Sequence, residues 1–109
     1  MEKIRALLVK PNEIPKEVFI ENTLEAKQEI VGGYIQMCHP VLHDDTAVII
    51  CNEEGKLMGL EPNRTLYLES GEPYDIICGD FIVVDAPEDS DDFGSLTKEQ
   101  VRKYSIMYY

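Results

Sequence analysis

The sequence predicts a small α+β domain in which two helices pack on an antiparallel β-sheet with meander connectivity. Short apolar runs rich in β-branched residues alternate with Gly, Pro, Asn and Asp clusters, which is typical of strands joined by tight turns. Asn22 with Glu25, and Thr97 with Gln100, have capping-box spacing and mark the starts of two helices. A chain of 109 residues supports one apolar core, so we expect a single domain over residues 1–109.

The chain begins with a predicted strand and a predicted helix. The apolar run at residues 4–9 is the first strand, and the prolines at either end of residues 11–15 mark the loop that follows. The helix covers residues 23–31, where apolar and long side chains recur on one face. The pair Gly32-Gly33 supplies a left-handed stop, so the helix ends there.

A run of β-rich segments follows this helix. Residues 34–41 and 46–51 favour strands, and residues 42–45 join them as a hairpin. Residues 52–55 form the next tight turn, and residues 56–60 return as a third short strand. The three strands together predict a meander.

The second half of the chain predicts more strands before an acidic loop. Residues 61–64 break the pattern, and residues 66–68 lead through a Gly-Pro turn to the apolar segment 76–84. Within that segment Gly79-Asp80 marks a bulge or a turn between two short strands. Residues 85–95 carry a cluster of carboxylates and predict a solvated, mobile loop.

The last element is a predicted C-terminal helix at residues 96–107. Its apolar face comprises Leu96, Val101, Tyr104 and Met107. With this helix the chain has no internal repeat and no low-complexity linker, which agrees with a single domain.

Charge and composition restrict the classes of function. The net charge of −11 disfavours direct binding to nucleic acid and to anionic membranes. No apolar run approaches the roughly 20 residues of a membrane span, and the start of the chain leads into a strand, so we expect a cytoplasmic protein. Cys38, Cys51 and Cys78 lie in apolar runs and are odd in number, which predicts buried free thiols and no disulfide.

Two basic side chains stand out in an acidic field. Lys56 and Arg64 are the only Lys or Arg between Gln28 and Thr97, a span that carries fifteen carboxylates. Asn63 and Arg64 follow a proline and offer a side-chain amide and a planar donor fork suited to phosphate. We therefore expect them to contact an anionic ligand.

The complete predicted ligand site comprises Arg64, Asn63, Lys56, Tyr34 and Tyr67. In this set Lys56 supplies a supporting charge, and Tyr34 or Tyr67 supplies a stacking surface. If the prediction holds, Arg64→Ala abolishes ligand binding and leaves the fold intact. The structural alternative is that Arg64 pairs with one of the many surface carboxylates, and such exposed pairs contribute only about 0–1 kcal/mol.

Neither a metal site nor a catalytic site is predicted. His39 and His43 lie near Cys38, Asp44 and Asp45, but Pro40 and the β-rich context place positions four apart about 13 Å from each other. The sequence has no Cys-x-x-Cys and no His-Glu-x-x-His motif. Cys38 and Cys51 fit inert core thiols, so we expect a non-catalytic protein without metal or cofactor.

Several strings carry a resemblance to a known family. They are Val31-Gly32-Gly33-Tyr34-Ile35, Asn52-Glu53-Glu54-Gly55-Lys56-Leu57, Gly59-Leu60-Glu61-Pro62-Asn63-Arg64, then Gly79 and the terminal Leu96…Gln100…Tyr104 helix. With them the chain resembles an uncharacterised family of small proteins, a domain of unknown function frequent in phages and conjugative elements of Gram-positive bacteria. The resemblance covers residues 4–104 and implies an accessory protein of a mobile element, without implying an activity.

These observations lead to two functional hypotheses. The first is a non-catalytic phage or mobile-element protein that sequesters a small nucleotide-derived anion and thereby counters host signalling or defence. The second is an acidic DNA mimic or protein–protein inhibitor of a host DNA-binding or defence protein, since ordered carboxylates can imitate a phosphate array. The C-terminal Tyr104, Tyr108 and Tyr109 could anchor a protein partner or a homo-oligomer, although Tyr104 also fits the core.

Overall fold

The computed structural model describes residues 2–40 and 45–109. Within these residues the elements are β1 (Lys3–Val9), β2 (Lys16–Glu21), α1 (Leu24–Val31), β3 (Ile35–Cys38), β4 (Ala47–Asn52), β5 (Pro62–Tyr67), β6 (Pro73–Cys78), β7 (Phe81–Asp85) and α2 (Lys98–Met107). This arrangement confirms the predicted α+β class with antiparallel strands. In the described part of the chain, neither helix is long and apolar enough to cross a membrane.

The strand order differs from a meander. Among the described strands, one antiparallel sheet has the order β2-β1-β7-β4-β3, and β5 pairs with β6 as a separate hairpin. Strand β7 lies between β1 and β4. Its residues Phe81, Ile82, Val83 and Val84 are all buried, as expected for a central strand that is covered on both faces. Strand β7 therefore pairs with β1 and with β4, and both of these strands are distant from it in the sequence.

The sheet separates two layers of apolar side chains. One face packs on α2 and on the β5–β6 hairpin, and its cluster includes Leu7, Val9, Ile49, Phe81, Val83, Leu66, Ile77, Leu96, Tyr104 and Tyr108. The other face packs on α1, and its cluster includes Ile4, Ala6, Val48, Ile50, Ile82, Val84 and Val31. Strand residues alternate between the two clusters, as the two-residue period of a strand requires.

The helix α1 begins at Leu24, one residue later than predicted. Thr23, and not Asn22, is the N-cap, and its side chain accepts a hydrogen bond from the backbone N–H of Ala26. Asn22 instead donates to the carbonyl of Phe93 and accepts from Lys27 Nζ, which ties the helix start to the end of the acidic loop. The predicted stop is confirmed, because Gly32 has a φ of 81° in the left-handed region.

One strand prediction was wrong, and one strand was missed. Residues 56–60, predicted as a strand, form consecutive turns, in which Met58 N–H donates to the carbonyl of Glu54 and Leu60 N–H to that of Gly55. The strand begins instead at Pro62 and pairs with β6. Strand β2 was not predicted at all, because it is an edge strand with mostly exposed residues and follows a proline-flanked loop.

The turn at Gly79 and the C-terminal helix agree with the predictions. Gly79 has a φ of 91° and separates β6 from β7. Thr97 and Gln100 form both halves of the capping box. The buried face of α2 differs at its end, where Tyr108 is buried against the ring of Phe81 and Met107 is largely exposed.

The sequence offers Tyr104, Tyr108 and Tyr109 as anchors for a protein partner or a homo-oligomer. Tyr104 and Tyr108 are both core residues, whereas Tyr109 is 85% exposed. Any contact that the C-terminal tyrosines make with a partner therefore falls to Tyr109. The acidic loop also has a fixed end, since the backbone groups of Asp85 and Gly94 hydrogen-bond to each other in both directions.

Candidate functional site

A cleft lies between the edge of the large sheet and the β5–β6 hairpin. It has a volume of about 380 Å³, and its walls come from β3, the end of β4, the turn at 53–59 and β6. We call it the cysteine cleft and define it by Gln36, Cys38, Cys51, Lys56, Asp75 and Cys78. This volume lies within the range of about 300–1,000 Å³ that is usual for small-molecule sites.

Gly55 holds the turn at 53–59 close to β6. A Cβ at this position would lie 2.5 Å from the backbone carbonyl oxygen of Cys78, a distance that real Cβ atoms do not show. Asn52 fixes the start of the same turn, because its side chain accepts from the N–H of Glu54 and donates to the carbonyl of Val31. The close approach of turn and strand creates one wall of the cleft.

Lys56 and Asp75, which both line the cleft, form an ion pair. Lys56 Nζ lies 2.5 Å from Asp75 Oδ1, and about half of each side chain is exposed to solvent. The hydrogen bond from Lys56 lowers the pKa of the Asp75 carboxyl, and the same bond raises the pKa of Lys56. The pair orients both charges toward the cleft and adds little to stability, because it is exposed.

Two cysteine sulfurs meet at the floor of the cleft. The Sγ atoms of Cys38 and Cys51 are 3.9 Å apart, and Cys51 Sγ also lies 3.7 Å from the carbonyl oxygen of Gln36. The hydrogen bond with Cys51, in which either sulfur can be the donor, lowers the pKa of Cys38, against the opposing effects of burial and Asp75. The pKa of Cys51 is raised, first by this hydrogen bond and then by burial.

The structure corrects the prediction that all three thiols are buried, because Cys51 is buried whereas Cys38 and Cys78 are only partly buried. Cys38 is only half-buried, and Cys78 from β6 lines the same cleft, so all three free thiols share it. Sequence reasoning missed this arrangement. One feature of the predicted hairpin of residues 34–41 and 46–51 could have indicated it. The register places Gln36 opposite Cys51, and Cys38 therefore lies on the same face as Cys51.

Arg64 lies outside the cysteine cleft. Its Nε donates to the carbonyl of Tyr108 at 2.8 Å, its Nη1 to Asn63 Oδ1 at 2.7 Å and its Nη2 to the carbonyl of Glu13 at 2.6 Å. These bonds connect β5 to the end of α2 and to the loop after β1. The described contacts of Arg64 are thus structural, and its contact with a ligand stays a prediction.

Asn63 is directed into the protein in the same way. Its Nδ2 donates to the carbonyl of Val9 at 2.9 Å and to the carbonyl of Gly79 at 2.8 Å. Since its Oδ1 accepts from Arg64, both ends of the amide are used within the fold. The fold therefore brings Asn63 and Arg64 together as predicted, but with their polar atoms engaged by the protein.

The two predicted stacking residues are separate from each other. Tyr34 is 68% exposed and lines a smaller hollow of about 280 Å³ with Gly33 and Met58. Tyr67 is half exposed at the end of β5. Of the five predicted site residues, all within the described part of the chain, only Lys56 lines the cysteine cleft.

A second polar cluster lies under α2. Asp45 accepts hydrogen bonds from Thr46 N–H, from Gln100 Nε2 and from Tyr104 Oη, and Lys103 lies nearby. Burial acts to raise the pKa of Asp45, but the hydrogen bonds and Lys103 together lower it. Because these groups satisfy one another, the cluster fits a role in fixing α2 to the sheet.

Of the two histidines, the structure describes His39 alone. His39 is exposed, and its carbonyl accepts from Tyr74 Oη. His43 and Asp44 lie outside the described residues. Among residues 2–40 and 45–109, no group of three or more His, Cys, Asp or Glu side chains is placed to hold a metal ion.

Comparison with known proteins gives one match. The family model described as a domain of unknown function (DUF3846) matches residues 4–109, which is nearly the whole chain. Neither the curated proteins nor the solved structures include a match.

Proposed function

Because the chain belongs to the DUF3846 family, a domain of unknown function that brings no activity with it, we propose from geometry that it is a non-catalytic module binding a small ligand in the cysteine cleft. The proposal retains the predicted class of function and Lys56. It relocates the site from Arg64 and Asn63 to the cleft between the two sheets.

One observation carries the proposal. Four groups with shifted pKa values, Cys38, Cys51, Lys56 and Asp75, line the same cleft. Shifted pKa values concentrate at functional sites, and a concave site with apolar walls and a few converging polar groups is the usual form of a ligand pocket. Ile76 and Leu57 supply apolar wall, and Gln36 supplies an exposed amide.

We propose a nucleotide-derived anion as the ligand, with Lys56 as its phosphate contact. The support is that Lys56 is exposed at the cleft and that a flat ring could lie on Ile76 and Leu57. Asp75 opposes this contact, because a phosphate must compete with its carboxylate for Lys56. The charge of the ligand therefore decides the sign of a mutational effect.

Neutralising Lys56 and neutralising Asp75 are expected to change the affinity for the ligand in opposite directions. Asp75→Asn releases Lys56 and keeps the oxygen that accepts from Ile76 N–H, so a phosphate should bind about two- to fivefold more tightly. Lys56→Gln removes the positive charge and should weaken binding by a similar factor. The ligand for the measurement is chosen from a panel of nucleoside mono-, di- and cyclic phosphates as the one that most raises the Tm of the wild type. Its affinity for the wild type and for each variant is then measured by calorimetric titration.

The same two variants can contradict the proposal that the ligand is an anion. A ligand that binds more weakly to Asp75→Asn and more tightly to Lys56→Gln is cationic. Equal affinities for both variants and the wild type would place the ligand elsewhere. Glu69→Gln, a change of an exposed carboxylate in the turn after β5, serves as the charge-matched control and should leave affinity unchanged.

We propose further that the protein is an accessory of a phage or mobile element and that binding sequesters a nucleotide signal of host defence. The resemblance of its central strings to proteins of such elements supports this role. Expression of the protein should lower the free concentration of the bound nucleotide in host cells, measured in extracts, and the Lys56→Gln variant should do so less.

A second candidate function has an observation of its own. Leu57 is 86% exposed and Met58 54% exposed, and both lie in the same turn as Glu53 and Glu54, after Gly55 and Lys56. An apolar patch with a carboxylate rim is typical of a surface that binds a protein. An acidic inhibitor of a basic host protein would use this surface, and its affinity would fall steeply as salt is added.

A further inference from the structure

The distance between two sulfurs in the cysteine cleft permits chemistry that ligand binding does not require. Cys38 lies on β3 and Cys51 on β4, on the same face of the sheet, with Sγ atoms 3.9 Å apart. A disulfide needs about 2.05 Å, so the sulfurs must approach by about 1.9 Å. In the described part of the chain β3 is an edge strand that pairs with β4 alone, so this approach displaces one strand pairing only.

The two cysteines differ in access. Cys38 is half-buried and lines the cleft, so a small solute can reach its sulfur. Cys51 is 4% exposed and belongs to the core cluster that also includes Ile49 and Phe81. A reagent entering the cleft therefore meets Cys38 first.

The pKa values of the two cysteines are also shifted in opposite directions. The hydrogen bond with Cys51 lowers the pKa of Cys38, and Lys56 adds a smaller lowering effect. The hydrogen bond with Cys38 and burial raise the pKa of Cys51. Since the thiolate is the nucleophile of sulfur chemistry and Cys38 is the more accessible sulfur, Cys38 is the attacking member of the pair.

We propose that Cys38 and Cys51 form a peroxide-reactive dithiol, in which Cys38 attacks hydrogen peroxide and Cys51 closes a disulfide at the floor of the cleft. In the first step the Cys38 thiolate attacks one peroxide oxygen and the O–O bond breaks. The departing oxygen takes up a proton and leaves as water, so Cys38 becomes a sulfenic acid.

The second step joins the two strands. Cys51 sulfur attacks the Cys38 sulfur, the S–O bond breaks, and the hydroxide leaves as water with the proton of Cys51. Two thiols and one hydrogen peroxide thus give one disulfide and two waters. The disulfide connects β3 to β4 at the wall of the cleft, and this inference does not depend on which ligand the cleft binds.

The test is oxidation of the complete chain with hydrogen peroxide, followed by non-reducing peptide mapping. We expect a single intramolecular disulfide between Cys38 and Cys51. Cys78→Ser, which alters the third thiol of the same cleft, is the matched control and should form it equally. In Cys51→Ser, Cys38 should accumulate as a sulfenic acid that dimedone traps.

Other outcomes overturn the proposal. These are a disulfide that includes Cys78, a disulfide between two chains, or thiols that stay reduced in the wild type. A sulfenic acid that forms faster on Cys51 in Cys38→Ser than on Cys38 in Cys51→Ser also overturns it. Circular dichroism of each variant verifies that it is folded, so a lack of reaction is not mistaken for unfolding.

Discussion

Replacing Arg64 with alanine is expected to lower the free energy of unfolding by about 2–3 kcal/mol while ligand binding in the cysteine cleft persists. The guanidinium bonds the carbonyls of Tyr108 and Glu13 and the side chain of Asn63, and alanine leaves these acceptors without their donors. The sequence hypothesis expects the reverse, with binding lost and the fold intact. Urea unfolding and ligand titration of the same variant separate the two.

Two further variants sharpen this prediction. Arg64→Lys keeps the charge but places its donors on one nitrogen, so it cannot reach three separate acceptors and should recover only part of the stability. Arg102→Ala removes an exposed arginine from α2 and should change stability by less than about 0.5 kcal/mol. If Arg64→Ala is as stable as the wild type and no longer binds ligand, the site lies at Asn63 and Arg64, as the sequence predicted.

Gly55→Ala is expected to destabilise the domain by about 2–4 kcal/mol and to disturb the cleft. The added methyl group would lie 2.5 Å from the carbonyl oxygen of Cys78, which belongs to the backbone of β6 and cannot move alone. Either the turn at 53–59 or the β5–β6 hairpin must shift. Chemical denaturation measures the loss of stability, and ligand titration measures the effect on the cleft.

Gly94→Ala is the matched control for this substitution. A Cβ at Gly94 would lie 3.5 Å from the side chain of Pro87, an ordinary van der Waals contact. We therefore expect a change of less than about 0.5 kcal/mol. A Gly55→Ala protein of wild-type stability would show that turn and β6 are not held together as described.

The fold class was predictable because it depends on local signals. The capping box of Thr97 and Gln100 and the left-handed Gly32 lie within a few residues of the elements that they delimit. Strand order depends on long-range pairing, and no local pattern states that β7 lies between β1 and β4. The edge strand β2 escaped prediction for a related reason, since it buries little and has a weak apolar pattern.

The site was predictable only in part. Lys56 stands out by its charge in an acidic sequence, and it does line the cysteine cleft. The role of Arg64 could not be foreseen, because three of its acceptors are backbone carbonyls, and every residue type carries a carbonyl. The meeting of Cys38, Cys51 and Cys78 depends on a hairpin register and on the approach of a second sheet.

Native mass spectrometry of two tryptophan variants tests the central claim most directly. Gln36 and Met37 are neighbours on β3 with exposed side chains, but Gln36 lines the cleft, whereas Met37 points to the opposite face of the sheet. Gln36→Trp therefore fills the cleft, and Met37→Trp adds the same bulk elsewhere. Each protein is purified without denaturation from bacterial cells and weighed before and after unfolding.

We expect the wild type and Met37→Trp to carry the same stoichiometric small molecule, released on unfolding, and Gln36→Trp to carry none. A small molecule that remains on Gln36→Trp contradicts the cleft as the binding site. A wild-type chain that is bare, or that carries only a polypeptide, contradicts the ligand-binding function and favours the acidic inhibitor.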